Sequence, residues 1–517
     1  MNGGQRQILD YDPVTRPAAG RRRLASDEEG AANSTATESW PLKAEHSIAD
    51  DAGVADDAAG ANSSAGAQLS PRGAVKEHGW LLKHGHSFTY GGLFLFTIVL
   101  YFRPYEFYPS PLTASIAFAL GLLMLAVFVP SQLMLEGTLT TRPREVNLAL
   151  LLCLAGLLSI PLAIEPRLAW DQWSDAFLKA IVIFVVMVNV VRTERRLRGM
   201  LFLVLAVSFV LSVGAINDHL SGRVPVEGYR VAGIIGGIFG NPNDLALHLQ
   251  TMVPISVALL FATRNPVSKA LYAGLTVLML GGIVVTFSRT GFLGLVCATT
   301  ILGWKLGRRN RFTLIVLLVL CFVLFFALAP GEYSTRVLSI FDSSKDRTGS
   351  FFSREALLLK SLSAAANNPV FGIGMGNFRI ISIREAVNHN AYLQVMTEIG
   401  LAALILYVLF MVTPLKRLRR IEREMFAAGR PYPSIYYLVI GVQASIVGYM
   451  VASFFSSVAY QWYIYYLVAY AVCLRRIYQA KCEKGELAGG KVTNEAKEKA
   501  LAAPSFNELE VAGGGQQ

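Results

Sequence analysis

The chain has 517 residues, of which 53% are hydrophobic and only 16% charged, a balance that excludes an ordinary soluble multidomain protein. A formal net charge of +11 raises nucleic acid as a partner, but the Lys and Arg residues fall in short runs between apolar stretches rather than along one soluble face, which argues against that class. The five cysteines include no CxxC pair, so neither a disulfide framework nor a zinc site is expected.

Residues 1–78 are polar and rich in Ala, Gly, Ser and Asp, with a basic run at Arg21, Arg22 and Arg23 and an acidic run at Asp27, Glu28 and Glu29. Such a segment buries too little apolar surface to fold, and it lacks the apolar stretch and cleavage site of a secretory signal, so it is expected to be disordered and cytoplasmic. Residues 79–477 read as a polytopic membrane domain. A helix needs roughly 20 apolar residues to cross about 30 Å of hydrocarbon, and about twelve stretches qualify. They lie near 87–102, 112–135, 146–164, 174–191, 199–216, 244–263, 269–287, 290–306, 312–330, 391–413, 435–455 and 458–474. Residues 478–517 read as a disordered cytoplasmic tail. The expected fold class is an all-α integral membrane protein.

Basic residues near span ends resist translocation, so their distribution sets direction. Alternate connections carry Arg142 and Arg144; Arg192, Arg195, Arg196 and Arg198; Arg264 and Lys269; Lys305, Arg308, Arg309 and Arg311; and Lys416, Arg417, Arg419, Arg420 and Arg423. These connections, with Arg475 and Arg476 after the last span, are expected to be cytoplasmic, along with both termini. The two long connections, 217–243 and 331–390, then face outward. A transporter places its polar groups near the bilayer midplane on broken helices or repeats, whereas this chain concentrates them in the outward loops.

The first loop enters a span through Arg230-Val-Ala-Gly-Ile-Ile-Gly-Gly-Ile-Phe-Gly-Asn241-Pro242-Asn243-Asp244, whose glycines allow close backbone approach and whose Asn and Pro residues suit a helix start. Between two apolar runs stands Thr286-Phe-Ser288-Arg289-Thr290-Gly291. An Arg in that position needs an anion or a hydrogen-bonding partner, or it snorkels to lipid headgroups. The second loop carries Arg354 and Glu355 on an amphipathic stretch, then a compact glycine turn, Gly372-Ile-Gly374-Met-Gly376. It closes with Asn388-His389-Asn390-Ala-Tyr392-Leu393 at a span mouth, and Glu398 follows about two turns inside. His248 lies within a span and reads as a packed residue with one hydrogen bond, whereas His389 stands at an outward boundary with a side chain suited to general-base work near neutral pH.

Arg230 with Phe239-Gly-Asn-Pro-Asn243, Ser288-Arg-Thr-Gly291, Asn368-Pro-Val-Phe-Gly-Ile-Gly374 and His389-Asn-Ala-Tyr-Leu393 together resemble the O-antigen ligase family, which includes Wzy-type polymerases. The resemblance covers about residues 90–475, in motif order and span number. It implies a GT-C-like bacterial inner-membrane glycosyltransferase that takes a glycan from an undecaprenyl-diphosphate carrier on the periplasmic face. It further implies that Arg230, Arg289 and Arg354 bind the donor diphosphate, that His389 is catalytic, and that Asn241, Asn243, Ser288, Asn390, Tyr392 and Glu398 support them. One departure is that Glu355 and a Leu run follow Arg354 without the nearby Trp expected of the family. The expected mechanism is inverting and needs no metal or cofactor. The acceptor is lipid A core, a protein hydroxyl or another glycan; the alternatives are a polymerase using the same donor and a non-enzymatic lipid-glycan transporter.

Overall fold

A computed structural model describes residues 80–307, 312, 350–382, 385–429 and 432–483. The expected terminal segments and nearly all of the expected span at 312–330 lie outside these residues. The longer helices are α1 (Trp80–Phe102), α2 (Pro111–Glu136), α3 (Arg144–Ser159), α4 (Pro166–Val190), α5 (Glu194–Leu220), α6 (Pro242–Ala262), α7 (Pro266–Val285) and α8 (Arg289–Leu306). They continue with α9 (Ser350–Asn367), α10 (Ala391–Glu398), α11 (Leu401–Ala427), α12 (Pro433–Ala452) and α13 (Trp462–Glu483). Helices satisfy their own backbone hydrogen bonds, as a segment in hydrocarbon must. Ser110, Thr193, Asn241, Asn265, Ser288 and Asn390 cap helix starts with their side chains.

Each expected span except the one at 312–330 coincides with a helix. Among the described residues nine helices are long and apolar enough to cross a membrane, α1 to α7, α11 and α12, so twelve spans are not established. The helix α13 falls outside that set because it is surrounded by protein and can carry polar groups. Tyr466 meets Thr97 at 3.0 Å, and Tyr465 donates to the Ala459 carbonyl at 3.0 Å. A second difference concerns the span expected at 391–413, which is divided into α10 and α11. Gly400 separates them at φ 106°, and a Cβ there would overlap the Val370 carbonyl, so the chain of the second loop is wedged into the break. Leu401 N–H donates to the Pro369 carbonyl at 2.9 Å, using a helix-start donor that would otherwise lack a partner.

A seam of small residues joins α6, α8 and α12. A Cβ on Gly291 would sit 2.5 Å from the Ala246 Cβ, one on Gly294 3.0 Å from the Ala452 Cβ, and one on Gly441 2.6 Å from the Ala258 Cβ. Without side chains at these positions the helix backbones approach closely, and dispersion replaces the hydrophobic drive that lipid cannot supply. Ser445 adds a hydrogen bond across the seam to the Thr251 carbonyl at 2.6 Å.

Basic side chains gather at one end of the bundle. The last carbonyls of α4 are each taken by an arginine: Val188 by Arg476 at 2.6 Å, Asn189 by Arg192 at 2.5 Å and Val190 by Arg196 at 2.9 Å. Cations there satisfy orphan acceptors and oppose the negative end of the helix dipole. Buried Glu145 at the start of α3 pairs with Arg475 at 2.6 Å, and buried Glu422 near the end of α11 pairs with Lys305 at the end of α8. The starts of α6, α8 and α10 and the end of α12 therefore lie away from this basic end.

Candidate functional site

The first cluster is built on a tight turn. Val226 and Arg230 form an isolated antiparallel bridge, with Glu227 and Gly228 between them at φ 53° and 76°. That pair of positive φ values is the signature of a type I′ turn. It delivers Arg230, only 5% exposed, to the break between α7 and α8. There Arg230 donates from Nε to the Thr286 carbonyl at 3.0 Å, from Nη2 to Asn243 Oδ1 at 2.9 Å and from Nη1 to Glu227 Oε1 at 3.2 Å. The Thr286 carbonyl is available because the helix stops there, with Phe287 turned to φ 51°.

Asn243 ties this cluster to two helix starts. Its Oδ1 also accepts from the Ser288 hydroxyl at 2.8 Å, and its own N–H donates to Asn241 Oδ1 at 2.8 Å. Ser288 Oγ in turn accepts from Gly291 N–H at 3.2 Å to cap α8. The N-terminal ends of α6 and α8 thus lie side by side, and half-buried Arg289 is the first residue of α8. Two positive dipole ends and the Arg230 guanidinium give this end of the bundle the donors that an anion could use.

A second cluster surrounds His389, which is half-buried and held at φ 51°. Its backbone N–H donates to Ser457 Oγ at 2.8 Å, fixing the residue just before α10. Asn390 Oδ1 accepts from the N–H groups of Tyr392 and Leu393 at 2.9 and 3.0 Å, capping α10, and the Tyr392 hydroxyl donates to the Met450 carbonyl at 2.8 Å. The Tyr392 contact attaches α10 to the end of α12, and the Ser457 contact attaches its approach to the segment that follows α12. That end packs on the start of α8 through Ala452 and Gly294, so His389 and Arg289 belong to the same end of the bundle. Beside the cluster an apolar groove is lined by Tyr392, Leu415, Met450 and Phe454.

Arg354 lies on α9, two turns before Ser361. Ser361 accepts at its carbonyl from Thr397 at 3.2 Å and at its hydroxyl from Asn388 at 3.3 Å, which joins α9 to the His389 side. Glu398 belongs to neither cluster. It is buried at the end of α10, facing the backbone N–H groups of Gly376 and Phe378 and the Tyr460 hydroxyl. The glycine turn is correspondingly structural: Ile373 and Gly374 donate to the Thr397 and Glu398 carbonyls at 2.9 Å. His248 is a packed residue, as its span position implies, 3.0 Å from Ser208 and in tilted and edge contacts with the rings of Tyr101, Phe239 and Tyr463.

The structure thus brings Arg230, Asn241, Asn243 and Ser288 into one bonded cluster and His389, Asn390 and Tyr392 into another. Two participants escaped the sequence reading. Ser457 had only its place in a break between apolar runs as a signal; Glu227 had its spacing of three from Arg230 across a glycine turn.

Residues 274–408 match the family model described as O-antigen ligase. The matched segment contains Ser288, Arg289, Arg354, His389, Asn390, Tyr392 and Glu398, and the Arg230 turn precedes it. No curated protein matches the chain.

Proposed function

We propose that this protein is an inner-membrane glycan ligase that transfers an oligo- or polysaccharide from undecaprenyl diphosphate to an acceptor hydroxyl on the periplasmic face. The observation that carries the reading is Arg230 bonded to Asn243 and the Thr286 carbonyl where the starts of α6 and α8 adjoin, with Arg289 opening α8 inside the segment matched to O-antigen ligase. Arginine forks match phosphate oxygens, and fixed positive groups stabilise a diphosphate as its charge develops.

In the proposed step, His389 accepts the proton of the acceptor hydroxyl while that oxygen bonds to the anomeric carbon. The carbon–oxygen bond to the diphosphate breaks, its electron pair leaves with the phosphate oxygen, and the configuration inverts. Arg230 and Arg289 hold the departing diphosphate, and Arg354 supplies a further cation from α9. Asn241, Asn243 and Ser288 orient the arginines; Asn390 and Tyr392 hold the His389 helix. The proposed chemistry assigns no step to a metal. The groove beside Tyr392 suits a hydrocarbon chain of a lipid-linked substrate.

Removing a general base or a leaving-group contact costs roughly 10²- to 10⁴-fold in rate. His389→Ala and Arg289→Ala are each expected to reduce transfer from extracted lipid-linked glycan by that order, with membrane insertion unchanged. Transfer at the wild-type rate by both variants would overturn the proposal.

A further inference from the structure

The partners of Arg230 include both neutral groups and a carboxylate. Thr286 and Asn243 are neutral and belong to helix ends, whereas Glu227 is a carboxylate on the turn outside the helices. The exposures differ as well: the Arg230 side chain is 6% exposed and that of Glu227 34%. The Glu227 carboxylate is also held by the Tyr229 hydroxyl, which donates to Oε2 at 2.7 Å. To reach this place Glu227 adopts φ 53°, a conformation costly for any residue with a Cβ, next to Gly228, which adopts it freely. A carboxylate beside so deeply enclosed a guanidinium offsets part of the cost of burying its charge.

We propose that Glu227 is an exchangeable counter-ion, an internal carboxylate that occupies Arg230 in the absence of donor and is displaced when a diphosphate arrives. The inference rests on the reading that Arg230 takes the donor diphosphate. The neutral contacts from Thr286 and Asn243 keep the guanidinium oriented throughout the exchange, while the Nη1 carboxylate is replaced by phosphate oxygen. Glu227 thereby lowers the affinity of the site for weaker anions. A carboxylate that merely braced the turn would have the opposite effect on affinity when removed.

The test is titration of the purified full-length protein with inorganic pyrophosphate, followed by calorimetry. An ion pair of this exposure is worth up to about 1 kcal/mol, or roughly fivefold in affinity. Glu227→Gln is expected to bind pyrophosphate roughly fivefold more tightly and to lower the KM for lipid-linked donor with kcat unchanged. Glu227→Asp, which keeps the charge, is expected to restore weaker binding. Tyr229→Phe loosens the same carboxylate and should shift affinity in the same direction by a smaller factor, so it decides the matter if Glu227→Gln fails to fold. Unchanged or weaker binding in the folded variants would overturn the exchange. Arg230→Gln separates the two ideas: loss of pyrophosphate binding in that variant leaves the donor site standing even if the Glu227 result is negative, and unaltered binding removes both.

Discussion

Asn243 Oδ1 accepts from both Arg230 Nη2 and the Ser288 hydroxyl, so one amide oxygen sets the spacing of two chain segments that meet only in the folded protein. Asn243→Ala would leave a largely buried guanidinium donor without that acceptor, an omission that costs about 1–3 kcal/mol. If Arg230 acts on the donor, the loss falls on its orientation, and kcat/KM for transfer is expected to drop by about ten- to hundredfold at normal protein levels. Steady-state kinetics on membranes matched for protein content check this. Little of this arrangement was legible in the sequence. Arg230, Asn243 and Ser288 stood out as polar residues at apolar boundaries, but their convergence on one oxygen depends on α6 and α8 lying side by side. Glu227 was less visible still, since a single carboxylate near a glycine reads as an ordinary surface turn.

The division between α10 and α11 shows how an element can depart from its apolar pattern. Hydropathy runs through residues 391–413 without a signal to stop, and Glu398 reads as a carboxylate buried inside a span. In the fold the break is tertiary: Pro369 and Val370 occupy it, and Glu398 ends α10 against the glycine turn. The glycine at the break was in view, but Gly inside an apolar run is common in membrane helices and carries no boundary by itself. Gly400→Ala would meet both a positive φ and the Val370 carbonyl, and a strained residue combined with a backbone clash costs about 1–3 kcal/mol or more. The variant is expected to unfold several degrees lower in detergent and to lose transfer, because the displaced element carries Asn390 and follows His389. Gly137→Ala, at φ 66° but in open space, should show only the smaller conformational cost, and equal melting temperatures for the two variants would contradict this account of the break.

At the scale of the molecule, residues from three of the basic connections and from the stretch after the last expected span enter the packing of helix ends. Glu145 joins the start of α3 to the ends of α11 and α13 through Arg417 and Arg475, and Glu422 joins the end of α11 to the end of α8. Removing one partner of such a buried pair costs about 3–5 kcal/mol, so these contacts hold the basic ends of the helices together. The sequence showed the charge pattern but not its structural use: Arg192, Arg196 and Arg476 also cap α4, which ties the retained charges to the packing of the helix they terminate. The two ends acquire a direction only through the membrane, and we propose that the basic end is cytoplasmic and the Arg289 and His389 end periplasmic. Ser221, after α5, and Ala428, after α11, are both exposed and lie at opposite ends, which makes them a matched pair of probes. In a background without the native cysteines, Ser221→Cys is expected to react with a membrane-impermeant maleimide added to spheroplasts, and Ala428→Cys only after the membrane is opened. Reaction of Ala428→Cys once the membrane is opened shows that the thiol is reactive, so its protection in intact spheroplasts reports sidedness and not poor reactivity. The reverse pattern would place the proposed transfer site in the cytoplasm, where a periplasmic acceptor cannot reach it.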